Sequence, residues 1–373
     1  MLKIWNKEKG MKKIGSICVA FLFLLCLTSC NDTGGVATES NYKGAFEDNK
    51  VSSEILEGPK ELNSDNMIQF FTIKTEDLPV QVFMMKDKKQ EQIRYVVSRM
   101  QPDGTWISEV PKWNKACVKK KNGGVVYITE DSKGVFYAVW WDSTLTEQKL
   151  LRLYENGVVE ELDIDEARKM NKGYILWSVS LINDNKMILQ FDKDFVAEKK
   201  DEFEEKDSLT HAVEYNLAEE KVGEEIGVMG SLNDNFDEQG ICYTADNLQN
   251  MILGRKISST ISDRVIKCKA DFPVSSVMDI RDDYGYCKTN DGIYGGKLEA
   301  AEWSCIIPSE DMIKYKEEKK EVEGKENTTY MIDSDSPVKV IMKTPGNDRE
   351  FYCLALVNKE EKQYQWVHYY DKP

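Results

Sequence analysis

Only two histidines, His211 and His368, occur in 373 residues, a scarcity that excludes a multi-histidine zinc centre or a repeated imidazole relay. The chain also lacks an HExxH helix, a GxSxG elbow and a glycine-rich phosphate loop, the sequence signatures of metalloproteases, serine hydrolases and nucleotide enzymes. Gly123-Gly124 and Gly295-Gly296 are simple turn signals. No CxxC pair is present, which removes thioredoxin-like chemistry. The longest apolar stretch, Ile14 to Leu27, falls short of the roughly 20 residues that span a bilayer as a helix.

That apolar stretch follows the basic Met11-Lys12-Lys13 and ends at Leu27-Thr28-Ser29-Cys30. The segment reads as targeting rather than fold, with residues 1–29 removed and Met11 the more conventional start. It resembles bacterial lipoprotein signal peptides as a class, with small Ser29 before Cys30 and Leu27 three positions upstream. The resemblance implies diacylglycerol on the Cys30 thiol, membrane lipid as a partner, and a lipid-anchored position on the extracytoplasmic face of the cell membrane. One acyl chain alone anchors only marginally, whereas two or more signals make a stable anchor.

From Cys30 to residue 63 the chain is polar and rich in Gly, Ser, Asn and Glu. Such a composition buries too little apolar surface to offset its ordering entropy, and 30–63 reads as a flexible stalk. Removing residues 1–29 takes away five lysines and one glutamate, leaving 45 basic and 64 acidic side chains and a formal charge of −19. A field of that sign argues against nucleic acid as a partner.

Residues 64–373 are expected to be all-β. Runs such as Met67–Ile73, Val80–Met85, Ile93–Met100 and Gly104–Ile107 combine β-branched and aromatic residues between turn signals. A second group follows over 124–128, 134–141, 149–154 and 158–162, with an Asn156-Gly157 hairpin signal. A third runs from Tyr174 to beyond Glu220, and weaker echoes continue to the C-terminus. The groups recur at roughly 40 to 55 residues, the range of four-stranded blades.

The phrases Gly134-Val135-Phe136-Tyr137, Gly240-Ile241-Cys242-Tyr243 and Asp291-Gly292-Ile293-Tyr294 resemble β-propeller repeats as a class, without the Trp-Asp endings of WD40 repeats or the paired glycines of kelch. The resemblance implies a six- or seven-bladed β-propeller; β-sandwich domains are the alternative. Two charged segments, 197–207 and 314–326, break the strand pattern and read as solvated insertions or short exposed helices.

Six cysteines follow Cys30: Cys117, Cys242, Cys268, Cys287, Cys305 and Cys353. Most sit singly in apolar runs, where a buried thiol suffices, although export would permit disulfides. Asp234 and Asp237, and Asp333 and Asp335, supply hard oxygens without EF-hand spacing; neither a metal nor another cofactor is expected. Trp106, Trp113, Trp140, Trp141, Trp366, Tyr369 and Tyr370 are the candidate binding surface. Trp140 and Trp141 are adjacent and must point to opposite faces of a strand, so one of them is free to reach a channel or surface. The expectation is a surface-anchored, non-catalytic binder or scaffold for protein or glycan. A propeller glycan-processing enzyme using paired carboxylates is the alternative.

Overall fold

The computed structural model describes residues 51–371 apart from 74–77, 88–91, 119–122, 143–146, 194–209, 230–234, 238, 247–248, 257–263, 272–273, 275, 282, 290–291, 309–337, 344–349 and 359–362. Cys30, the charged segments 197–207 and 314–326, and Asp234, Asp333 and Asp335 lie outside the described residues. Strand β1 (Val51–Leu56) comes first in the chain but last in the architecture. Blade 1 is β2 (Met67–Ile73), β3 (Val80–Asp87), β4 (Gln92–Met100) and β5 (Trp106–Glu109), an antiparallel meander in sequence order. After the short helix α1 (Asn114–Val118), blade 2 is β6 (Gly123–Glu130), β7 (Phe136–Asp142), β8 (Gln148–Leu153) and β9 (Val159–Leu162).

Helix α2 (Asp165–Met170) leads to blade 3, formed by β10 (Tyr174–Asn183), β11 (Lys186–Lys193), β12 (Thr210–Asn216) and β13 (Lys221–Met229). Acidic Asp165 and Glu166 open α2 and basic Arg168 and Lys169 close it, the distribution that suits a helix dipole. Blade 4 contributes β14 (Ile241–Asp246), β15 (Met251–Lys256) and β16 (Arg264–Cys268). Its innermost position is held by residues 235–237, where Phe236 bridges Cys242 and the Tyr243 N–H donates to the Asn235 carbonyl.

Blade 5 is β17 (Ser276–Arg281), β18 (Tyr284–Thr289), β19 (Gly292–Lys297) and β20 (Glu302–Pro308). Blade 6 is β21 (Val338–Lys343), β22 (Glu350–Asn358) and β23 (Gln363–Asp371), with β1 as its outer strand, paired from Val51 opposite Asp371 to Leu56 opposite Trp366. The two ends of the folded chain therefore share one sheet, which removes the seam a linear array of blades would leave.

The core confirms the ring. Six apolar clusters are present among the described residues, and each joins the facing sides of two successive blades: 1 with 2, 2 with 3, 3 with 4, 4 with 5, 5 with 6, and 6 with 1. Period-two alternation supplies both sides. On β7, Phe136, Ala138 and Trp140 face blade 1, while Tyr137, Val139 and Trp141 face blade 3. On β22, Cys353 and Ala355 face blade 5, and Tyr352 and Leu354 face blade 1. Fully burying a side chain such as Phe136, Val139 or Leu354 stabilises by about 1.5–3 kcal/mol. The fold is thus an all-β propeller of six blades.

One expectation needs correcting. Residues 51–63, read from their polar composition as stalk, belong to the fold: β1 closes the ring, Glu61 and Leu62 are buried, and the Glu61 carboxylate accepts the Ser108 hydroxyl at 2.8 Å. Composition missed this because an outer strand gains its place through backbone pairing rather than apolar burial.

Candidate binding face

The innermost strands share a deviation from regular pairing. In β2, β6, β10, β17 and β21 the register against the second strand slips by one residue, leaving Ile68, Val126, Trp177, Met278 and Lys339 as the extra residues of five single-residue bulges. A bulge re-aims a side chain out of the regular alternation. All five lie in the first half of their strands, on the end of the ring where the chain enters each blade. Ile68 is 42% exposed and Trp177 51% exposed; the strand neighbours of Trp177, Leu176 and Ser178, are buried.

Trp177 is held rather than loose. Leu176 beside it sits in the bulge, and blade 2 satisfies both of its backbone groups: the buried Gln148 Oε1 accepts its N–H at 2.8 Å, and Trp141 Nε1–H donates to its carbonyl at 2.7 Å. The Trp141 ring then meets Trp177 edge-on, with centroids 5.1 Å apart and planes at 61°. A buried backbone group without a partner is costly, so these two hydrogen bonds keep Trp177 in place. The result is a partly exposed indole on a rigid support.

The aromatic residues singled out in sequence divide differently. Trp113 is buried between blades 1 and 2 against Tyr95 and Phe136, and Trp140 is buried in the same layer. Trp366 is buried between blades 6 and 1, donating Nε1–H to Gln81 Oε1 at 3.1 Å, and half-buried Trp106 stacks on it at 5.5 Å. Tyr369 is buried between blades 5 and 6. Half-buried Tyr370 lies 4.9 Å from the His368 ring, whose Nδ1 contacts Glu54 at 3.0 Å. These side chains form interblade layers, so the seven do not make one surface. Trp141 alone among them reaches the Trp177 site, and Trp177 itself carried no sequence signal.

Asp237 is structural. Its Oδ1 accepts the N–H groups of Gln239 and Ile241 at 2.9 Å each, its Oδ2 accepts the Tyr243 hydroxyl at 3.1 Å, and Arg264 stands 3.8 Å away. No grouping of three or more His, Cys, Asp or Glu side chains suited to a metal ion occurs among the described residues. The other buried carboxylates are similarly engaged. Glu61 holds Ser108, the Glu130 carboxylate takes a two-pronged bond from Arg99 across the blade 1–2 boundary, and Asp279 also has a partner.

No protein-family model matches the chain, and no curated protein matches it. Solved structures similar to it include PorZ, a surface component of the type-IX secretion system of Porphyromonas gingivalis, with 11% identity and a TM-score of 0.42 over 86% of this chain and 39% of that one. The chain thus spans about two fifths of PorZ. A luciferin-regenerating enzyme gives 12% identity and a TM-score of 0.47 over 86% and 95% of the two chains. The Dos1 propeller gives 10% and 0.35 over 80% and 77%. At these values the propeller assignment is carried by the chain's own sheets and interblade layers. Among the described residues, no helix is long and apolar enough to cross a membrane.

Proposed function

We propose that the protein is a lipid-anchored extracytoplasmic propeller that binds a protein or glycan ligand without transforming it, through the end of the ring that presents Trp177. The observation that carries this reading is the exposed Trp177 indole, fixed by Gln148 and Trp141. A large aromatic held in one orientation provides contact area without the ordering cost a flexible side chain would pay, and tryptophan is enriched at binding hot spots. Among the described residues, engagement of the buried Glu61, Glu130 and Asp237 carboxylates in a serine hydroxyl bond, an ion pair and a turn favours binding over the glycan-processing alternative, which requires two carboxylates free to act as acid and nucleophile.

The test is a screen of the mature chain against cell-wall glycans, polysaccharides and surface-protein peptides, scored for retention and for cleavage. Trp177→Ala is expected to lower retention at least tenfold, the usual cost of losing a hot-spot aromatic, with an unchanged unfolding midpoint. Cleavage abolished by a single carboxylate substitution would overturn the non-catalytic reading. The anchor is tested separately: metabolic labelling with an alkynyl fatty acid should mark the chain and should be lost in Cys30→Ala.

A further inference from the structure

Among the described residues, blades 4 and 5 are the pair joined by strand pairing from one blade to the next. The outer strand β16 pairs in parallel with the outer strand β20 through Lys267 opposite Glu302 and Cys268 opposite Trp303, so that the two blades form one seven-stranded sheet folded around a shared core. Inside that fold the Sγ atoms of Cys268 on β16 and Cys287 on β18 lie 3.7 Å apart. Both residues are buried, in a cluster with Val277, Tyr294, Trp303 and Cys305.

We propose that Cys268 and Cys287 are a disulfide site that staples blade 4 to blade 5. The sulfurs are in van der Waals contact already, at 3.7 Å against the roughly 2.05 Å of a bond. The third thiol of the cluster does not compete for Cys287. Cys305 and Cys287 both face Tyr294 from opposite sides across β19, which sets them two strand spacings, about 10 Å, apart, beyond the reach of a disulfide. Cys117, Cys242 and Cys353 belong to three other interblade layers.

Closure removes two protons and two electrons from the thiol pair and requires a disulfide-type oxidant. A thiolate of one cysteine attacks the oxidant's disulfide, giving a mixed disulfide and releasing one thiol; the thiolate of the other cysteine then displaces the second thiol and leaves the intramolecular S–S bond. Because Cys287 is fully buried and Cys268 nearly so, the exchange belongs to folding, before the wedge between blades 4 and 5 closes. The proposal rests on the extracytoplasmic location put forward above, since a reducing compartment would hold both thiols open.

Two experiments separate the site from the location. The purified mature chain is unfolded and refolded with oxidised and reduced glutathione, alkylated and mapped by mass spectrometry. A peptide pair linked through Cys268 and Cys287, 2 Da lighter than the sum of its reduced partners, is expected, together with a midpoint several degrees above that of the reduced chain, the scale expected for a staple closing a loop of this length. The gain should vanish in the Cys268→Ala, Cys287→Ala double variant, whose own midpoint is compared with the reduced wild-type chain to separate loss of the bond from loss of packing. Refolded chain with both thiols alkylated, or linked to other cysteines, overturns the site. Chain trapped by alkylation in its native cells should carry the same link; closure in vitro with alkylated thiols in cells overturns the staple as a property of the native protein and with it the extracytoplasmic location.

Discussion

Blades 2 and 4 carry the same turn between their first and second strands and use it to different ends. In blade 2, Asp131 Oδ1 accepts the N–H groups of Lys133 and Val135, its Oδ2 accepts the Tyr137 hydroxyl at 3.2 Å, and Gly134 sits at φ +76°. In blade 4, Asp237, Gly240 at φ +77° and Tyr243 repeat every one of these contacts. Only glycine adopts that backbone readily, which explains the spacing Asp-x-x-Gly-x-x-Tyr in both. The divergence begins one strand further out. Arg152 of β8 stands opposite Tyr137, over whose ring it lies, and extends to the Leu217 carbonyl and Glu220 of blade 3. The corresponding position opposite Tyr243 is Gly254, and Arg264 of β16 reaches across it to donate to the Tyr243 hydroxyl at 2.7 Å.

The arginine of blade 2 therefore reaches a neighbouring blade as well as Glu160 of its own, and that of blade 4 folds back on its own. Blade 4 has less to offer its predecessor. Among the described residues its layer with blade 3 is the small group Ile188, Ala212, Phe236 and Cys242, backed by Ile182. It compensates on the other side, through the parallel pairing with β20. A propeller can thus tolerate one weak joint when the next one is reinforced, because the nearest-neighbour joint terms add around the ring.

The largest effect should come from filling the gap that lets Arg264 cross. A Cβ at Gly254 would lie 2.7 Å from Tyr243 Cε1 and 3.2 Å from the Arg264 Cβ, so Gly254→Val must displace the ring or the arginine. We expect a loss of about 3 kcal/mol, the upper range for overpacking a close approach, read as a lower urea midpoint at constant slope. An unchanged midpoint would mean that the reach-over contact contributes nothing.

Removing the two tyrosine hydroxyls should separate the blades next. Tyr243 both donates to buried Asp237 and accepts from Arg264, so Tyr243→Phe leaves two polar partners short and should cost about 2 kcal/mol. Tyr137→Phe removes a bond to the more accessible Asp131 and should cost about 1 kcal/mol. Equal losses in paired denaturation curves would erase the distinction drawn between the blades.

Alkaline titration sharpens the same contrast. Burial, reinforced by the Asp131 charge, pushes the Tyr137 phenol up to about 12; burial and then Asp237 push Tyr243 up as well, and burial lifts Cys242 to about 12. Each is a neutral acid whose folded pKa exceeds its unfolded one. Its contribution is therefore complete below the unfolded pKa, near 9 for the thiol and 10 for the phenols, and is lost as pH rises through the folded value. The unfolding midpoint should hold to about pH 9 and fall between about pH 10 and 12. In the folded chain both phenols should ionise above the ordinary tyrosine range, which tyrosinate absorbance of the two Phe variants can read one at a time.

How much of this was legible beforehand differs along the chain. The strand groups of blades 1 to 3 could be read directly, since Met67–Ile73, Val80–Met85 and the 134–141 run are rich in β-branched and aromatic residues and end at turn residues. The phrases around Tyr137 and Tyr243 marked the two matching turns, though not their aspartates' role. Blade 4's innermost position was invisible because residues 235–237 present a single bridge pair, too short for any periodic signal. Trp177 was passed over because a bulge is a property of register between two strands, and neither strand alone encodes it. The aromatic surface read from Trp113, Trp140, Trp366 and Tyr369 turned inward for a related reason: a propeller buries both faces of every sheet, so alternation leaves no outward set of side chains on its middle strands.

The smallest expected effect tests the ordinary joint between blades 2 and 3. The Asp184 carboxylate, in the turn after β10, accepts the Ser132 hydroxyl at 2.8 Å and the Ser132 N–H at 3.2 Å, with Lys133 Nζ at 3.3 Å. The Ser132 hydroxyl, ahead of Lys133, holds its pKa below the ordinary aspartate value. A depressed folded pKa gives stability that is present above the unfolded value and lost as pH falls through the folded one, so this contact should weaken below about pH 4. Lys133 is largely exposed and Asp184 partly so; solvent screening limits the contribution to about 0.5 kcal/mol. Asp184→Asn should lower the midpoint at pH 7 by that small amount and leave the acid limb slightly flatter, whereas a loss comparable to that of Gly254→Val would show that the weak joint of the ring lies before blade 3 rather than after it.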